Sequence, residues 1–110
     1  DEPLAVLVAK ALGWTDVTWD RTGAWGRPPG SSIFGVQIPR YGIDAPDGWA
    51  ATGPLLSERG FSLIQCPDTS WDCLTPGFVA GGMIEANAPS APEAIARLVV
   101  KLHELGKLKA

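Results

Sequence analysis

The chain opens on a helical repeat of apolar positions. Leu4, Leu7, Val8, Ala11 and Leu12 recur at the spacing that lines one face of an α-helix, which predicts a first helix over residues 2–12. Pro3 suits its first turn, where a missing amide costs no hydrogen bond, and Gly13 suits a left-handed cap at its end. The pattern then turns extended. A β-prone run at 17–19, a turn at 21–23 and a second run at 24–27 predict a hairpin, and the Pro- and Ser-rich residues 28–32 form a loop. Residues 33–38 resume as a strand, with Ile33, Gly35 and Gln37 on one face and Phe34, Val36 and Ile38 on the other.

The second half repeats this alternation. Asp44 as cap and Pro46 in the first turn predict a helix that ends at Gly60, with Trp49, Ala50, Leu55 and Leu56 facing inward. Pro54 inside it predicts a kink or a break, because proline lacks the amide and crowds the preceding turn. Strands follow at 61–66, 71–75 and 78–88, separated by turns at 67–70 and 76–77, the last strand bending at Gly81 and Gly82. Ser90 and Glu93 have the spacing of a capping box, and Ala94, Ile95, Leu98, Val99, Leu102 and Leu105 form the stripe of a final helix ended by Gly106. No repeat or linker interrupts the chain, so residues 1–110 are expected to form a single domain. Strands joined by hairpin-length turns pair antiparallel. Three amphipathic helices need a sheet to cover, so the expected class is α+β, an antiparallel sheet with three helices packed on it.

Composition narrows the function classes. At 110 residues, 45% hydrophobic and 19% charged, the chain can bury one core without staples. Nine Lys and Arg against twelve Asp and Glu give a net charge of -3, which argues against direct binding to a nucleic-acid backbone. Four of the nine bases, Arg97, Lys101, Lys107 and Lys109, lie at the C-terminal end, where they suit the dipole of the last helix. No apolar run reaches membrane-spanning length, and the acidic start is unlike a signal peptide, so a soluble intracellular protein without membrane partners is expected. Two cysteines and one histidine do not complete a four-ligand zinc site without carboxylates, and neither a metal nor a cofactor is expected.

The residues that carry chemistry are few. His103, the single histidine, sits at the end of the last helix among charged neighbours and reads as a solvated helix-end residue. The pairs Asp16 and Asp20, Asp44 and Asp47, and Asp68 and Asp72 fall at strand ends, a helix start and a turn, where caps and turns account for them. The loop at 28–32 leads into a strand and contains two prolines, so it lacks the amides of a phosphate cradle. Catalysis is therefore not expected. Cys66 and Cys73 are symmetric about the bond between residues 69 and 70. An even-length hairpin loop there would set them opposite each other, close enough for a disulfide, although free thiols are the default in a reducing compartment.

Tryptophan is the compositional excess, with five in the chain. Trp49 is expected in the core. Trp19 and Trp25 lie on the two arms of the first hairpin beside Arg21 and Arg27, and Trp71 opens a strand after a turn. Aromatic faces beside guanidiniums stack planar ligands or anchor protein interfaces, so Trp19, Arg21, Trp25, Arg27 and Trp71 are the candidate binding residues.

Several local motifs resemble the small phage and prophage proteins of the phage ABA-sandwich domain family. They are the helix ending in Leu12, Gly13 and Trp14, the run Val17-Thr18-Trp19, and Trp25 followed by Arg27-Pro28-Pro29-Gly30. Tyr41 to Asp44 leading into a helix, the strand pair within 61–75, and the closing run from Ala88 to Arg97 complete the resemblance. Pro54 and the pair Gly81 and Gly82 depart from it. The resemblance implies a layered α/β/α sandwich and a phage or prophage origin, with no catalytic residues to carry over, and the expected location is the host cytoplasm. The first functional reading is then a non-enzymatic phage accessory protein that binds and blocks a host protein or protein complex, in the manner of a host-defence (anti-CRISPR-like) inhibitor. Its acidic surface would compete for a nucleic-acid-binding face. The second is a small-ligand binder that sequesters a nucleotide-like molecule, and the third a phage structural or assembly protein that forms a homo-oligomer.

Overall fold

A computed structural model describes residues 2–76 and 83–108. The elements run α1 (Leu4–Ala11), β1 (Thr15–Asp20), β2 (Gly23–Arg27), β3 (Val36–Gln37), α2 (Pro46–Glu58), β4 (Ser62–Gln65), β5 (Trp71–Leu74), β6 (Glu85–Ala88) and α3 (Ala91–Glu104). The class is α+β with antiparallel pairing throughout, as the hairpin-length turns predict.

The strands do not form the one sheet expected from the sequence. They form two sheets of three, ordered β1-β2-β3 and β4-β5-β6. Each sheet is a meander in which every strand pairs with its chain neighbour. Helix α2 separates the two meanders along the chain, and β3, two residues long, offers little length for further pairing.

Helix α3 organises the molecule. It packs against β5 and β6 on one side and against α1 and α2 on others. Ala91, Pro92, Ala94, Ile95, Ala96, Leu98, Val99 and Leu102 are all buried, more than one helical face holds. Small residues at 94 and 96 let neighbouring backbones come close. Gly42 shows how close. A methyl group there would lie 2.8 Å from Leu4 Cδ2 and 2.9 Å from Ala96 Cβ, and its φ of +83° also favours glycine. The Gly42 amide donates to the buried Thr52 Oγ1 at 2.9 Å, which ties this turn to α2. Helix α1 buries Val6, Val8 and Ala9 most deeply, with Leu4, Ala11 and Leu12 packed partly against the core, so its apolar surface is wider than the predicted stripe.

All three helices end in the same bond pattern. The amides of Trp14, Phe61 and Lys107 donate to Ala9, Leu56 and Leu102, across Gly13, Gly60 and Gly106 in left-handed conformation. The helix starts differ from expectation. Ala45, not Asp44, is the N-cap of α2, and neither it nor Ser90 makes a side-chain capping bond. Glu93 instead holds Arg97 one turn on, at 2.6 Å, so the predicted capping box is replaced by an ion pair along the helix. Helix α2 runs unbroken through Pro54. Both Ala50, whose carbonyl loses its partner, and Pro54 are exposed, so water can satisfy that carbonyl. Trp49, expected inside, is 41% exposed. Thr52 takes the inward position with Leu55, because its hydroxyl satisfies the Gly42 amide.

In the second sheet, β6 covers Glu85–Ala88, and the ladder continues one pair beyond β5 through Thr75 and Ile84. The predicted bend at Gly81 and Gly82 lies outside the described residues. Leu98 is fully buried at the centre of α3. Leu98→Ala should cost about 2–5 kcal/mol in urea unfolding. A loss below about 1 kcal/mol would contradict the packing of α3 described here.

Candidate interaction surface

The first sheet is shaped by two local devices. Its β1–β2 turn is held by Asp20, whose Oδ1 accepts the Thr22 amide at 2.7 Å and the Thr22 hydroxyl at 2.6 Å. The hydroxyl bond, then the amide bond, hold the Asp20 carboxyl below its ordinary range. Further along, the register slips between Thr15 and Thr18, where Asp16 has a φ of +53°. One extra residue in β1 makes a β-bulge, which bends and twists the strand.

Pairing then assigns faces. Thr18 is opposite Trp25 and Trp19 is opposite Ala24, so Trp19 and Trp25 lie on opposite faces of the sheet. Val17 and Ala24, on the Trp19 side, pack partly against the core. Trp19 sits at the margin of that side, 5.4 Å from the Lys10 ammonium. The other side carries Trp25, with its ring over Gly23, and Arg27, two residues along the same strand. The Arg27 Nε donates to Thr15 Oγ1 at 2.9 Å and lies 3.6 Å from Asp16 Oδ2. Thus anchored, the guanidinium covers the Phe34 ring at 5.4 Å.

Phe34 and its neighbour Ile33 are each 65% exposed. The predicted strand over 33–38 is reduced to Val36 and Gln37, and Gly35 turns the chain with a φ of +70° before them. Ile33 and Phe34 therefore have no partner strand and stand in the loop that follows Pro28 and Pro29. Of the five candidate residues, Trp25 and Arg27 share one surface, Arg21 is exposed in the β1–β2 turn, and Trp19 is on the opposite face. Trp71 belongs to the second sheet, where it packs partly against the core. Ile33 and Phe34 complete the surface. Their signal in the sequence was an apolar pair held between a proline-rich loop and a glycine.

The two thiols occupy different surroundings. The β4–β5 loop has three residues, 67–69, with Thr69 at φ +70°, and the Cys66 amide donates to Ser70. The hairpin is therefore centred on Asp68 and not on the bond between residues 69 and 70, which puts Leu63, three residues before Cys66, opposite Cys73. Cys73 lies opposite Leu63 and Cys66 opposite Ser70, on opposite faces, and both cysteines are free. Cys66 joins a polar cluster on the outer face of the second sheet. Its thiol donates to Asp72 Oδ2 at 3.3 Å, and Asn87 Nδ2 donates to Asp72 Oδ1 at 2.6 Å and to Ser70 Oγ at 3.0 Å. The hydrogen bond to Asp72, and then desolvation, push the Cys66 pKa up. Burial pushes Cys73 to about 12. Both shifts favour the thiol over the nucleophilic thiolate.

The carboxylates serve the structure around them. Asp68 Oδ1 accepts the Ser70 amide and hydroxyl, and Asp47 pairs with Arg40 at 3.2 Å. His103 is exposed in the last turn of α3. Among the described residues, no three His, Cys, Asp or Glu side chains gather in a metal-binding group, and no helix is long and apolar enough to cross a membrane. A shallow open recess of about 230 Å³ is lined by Gln37, Ile38, Pro39, Arg40 and Asp47. No model of a known protein family matches the chain, and no curated protein sequence matches it.

At neutral pH, Cys66 should react slowly with an alkylating reagent, and Cys73 only on unfolding. Asp72→Asn removes the carboxylate that keeps the Cys66 proton and should speed its reaction. Equal rates at both cysteines in the folded protein, or no acceleration in the variant, would contradict the assigned surroundings.

Proposed function

We propose that this chain is a non-enzymatic protein-binding module, and that Ile33, Phe34, Arg27 and Trp25 form its contact face. On the resemblance to phage ABA-sandwich proteins, the partner is a host protein or protein complex whose activity the bound chain blocks in the host cytoplasm. The observation that carries this reading is the solvent exposure of Ile33 and Phe34 beside an anchored arginine. Exposing two large apolar side chains side by side keeps apolar area in water, and burying it in a partner recovers about 25 cal/mol for each Å² covered. Aromatic and arginine side chains are the types enriched among residues that dominate binding energy.

Two further observations support a binding role over a catalytic one. The thiol pKa values are raised, away from nucleophilic use, and the carboxylates at 20, 47 and 68 are engaged in turns or an ion pair. The recess beside Arg40, at about 230 Å³, is small for a small-molecule pocket. The acidic net charge supports competition with a polyanion for a basic surface on the partner.

The test is native mass spectrometry of the tagged protein recovered from a bacterial lysate. A stoichiometric host protein is expected. The double variant Ile33→Ser with Phe34→Ser should keep its unfolding midpoint, since both side chains face solvent, and should weaken binding about tenfold or more. Retention of the partner by the folded double variant would remove this face from the account. A bound small molecule of nucleotide mass in place of a protein would overturn the protein-binding reading.

A further inference from the structure

Among the described residues, strand β4 is an outer strand of the second sheet, paired with β5 on one side only. Its backbone pattern can be read residue by residue. The Cys66 amide donates to the Ser70 carbonyl at 2.8 Å, and the register continues through Gln65 opposite Trp71, Ile64 opposite Asp72 and Ser62 opposite Leu74. Hydrogen-bonded and non-bonded pairs alternate along an antiparallel ladder. Ser62, Ile64 and Cys66 therefore turn their backbone groups toward β5, and Leu63 and Gln65 turn theirs away, to the open edge. The Phe61 amide, next in that outward series, is already held by the Leu56 carbonyl at 2.9 Å.

Among the described residues the longer edges are β1, β4 and β6, and they are guarded unequally: β6 carries the charged Glu85, whose carbonyl is taken by Lys101 Nζ at 2.8 Å. Strand β1 carries a bulge at Asp16 and acidic residues at 16 and 20, devices that discourage edge pairing. Strand β4 has none of them. Residues 61–66 read Phe-Ser-Leu-Ile-Gln-Cys, without charge, proline or glycine. Ile64 stands on the outer face, 55% exposed.

We propose that β4 pairs antiparallel with β4 of a second copy of this chain, about a two-fold axis through Ile64. A second copy fits because the edge is complementary to itself. With Ile64 opposite Ile64, Leu63 of each copy faces Gln65 of the other, and each such pair exchanges both of its outward hydrogen bonds. Four bonds form, and every outward amide and carbonyl of Leu63 and Gln65 is used. The two exposed Ile64 side chains meet as a close non-bonded pair, where apolar cross-strand contacts are strongest. Centring the axis on Leu63 instead would set Gln65 against Phe61, whose amide is already held by Leu56, and would leave the outward Gln65 carbonyl of each copy without its donor. No charge on the strand opposes the approach of its own copy. The product is a continuous six-stranded sheet across the dimer, closed by its symmetry. This surface is separate from the contact face around Phe34, so either assignment can fail without the other.

Sedimentation velocity over a concentration series up to about 1 mM tests the pairing, because edge contacts this short associate weakly. The wild-type mass should rise reversibly from 11.6 kDa toward twice that value. Gln65→Pro removes an outward donor and leaves the ladder to β5 intact, and Ile64→Lys sets like charges on the axis. Both variants should stay monomeric at concentrations where the wild type is mostly dimer, with unchanged circular dichroism. If Gln65→Pro fails to fold, the solvent-facing Ile64→Lys decides alone. A wild type that is monomeric at about 1 mM, a dimer that survives Ile64→Lys, or assemblies that grow past the dimer would each overturn the proposal.

Discussion

The burial of α3 is the constraint on which the rest of the structure depends. Eight of its residues are buried, and it is the element against which α1, α2, β5 and β6 all pack. A helix so enclosed has little surface left for charge, and its exposed positions are Arg97, Lys101 and Glu104 on one strip and His103 in the last turn. Lys101 uses that strip to reach the Glu85 carbonyl at 2.8 Å, which fixes the end of β6 against the helix. Close approach is bought with small side chains. Ala96 and Gly42 admit the turn before α2, and Thr52 satisfies that turn's buried amide.

The first sheet stands in a different relation to this centre. It reaches the core through α1 and through Trp14, Val17 and Ala24 on one of its faces. Its other face is left to solvent and carries Trp25 and Arg27, with Phe34 lying against the guanidinium. A surface peripheral to the core can change without unsettling it, which is how recognition residues are commonly displayed on a rigid scaffold. The second sheet is committed to α3 on its inner face and presents a polar hydrogen-bonded cluster on its outer face. The molecule thus divides between a packed body and an appended sheet.

Much of the fold was legible from local signals. The three helices, their terminal glycines and the two hairpins follow from periodicity and turn residues. What escaped was set by interactions that local pattern does not encode. Ile33 and Phe34 have strand propensity but no partner strand, so propensity alone misplaces them. Trp49 is apolar, yet Thr52 takes the inward position because a backbone amide requires its hydroxyl. The cysteine pair is out of register because the chain turns about Asp68, with Thr69 in left-handed conformation, before the centre that the cysteine symmetry suggests. In the candidate site, Trp25 and Arg27 were legible as neighbours two residues apart on one strand. The separation of Trp19 from them depends on pairing register, and the contribution of Ile33 and Phe34 depends on the loop that carries them.

Native-state hydrogen exchange tests the central claim, that α3 is the hub and the first sheet is an appendage to it. Amides between residues 94 and 102 should exchange only through global unfolding. Those of β1 and β2 should exchange through a smaller opening that leaves α3 and β5 protected. If the amides of β1 and β2 are as protected as those of α3, or α3 opens before the second sheet, the hub arrangement is wrong.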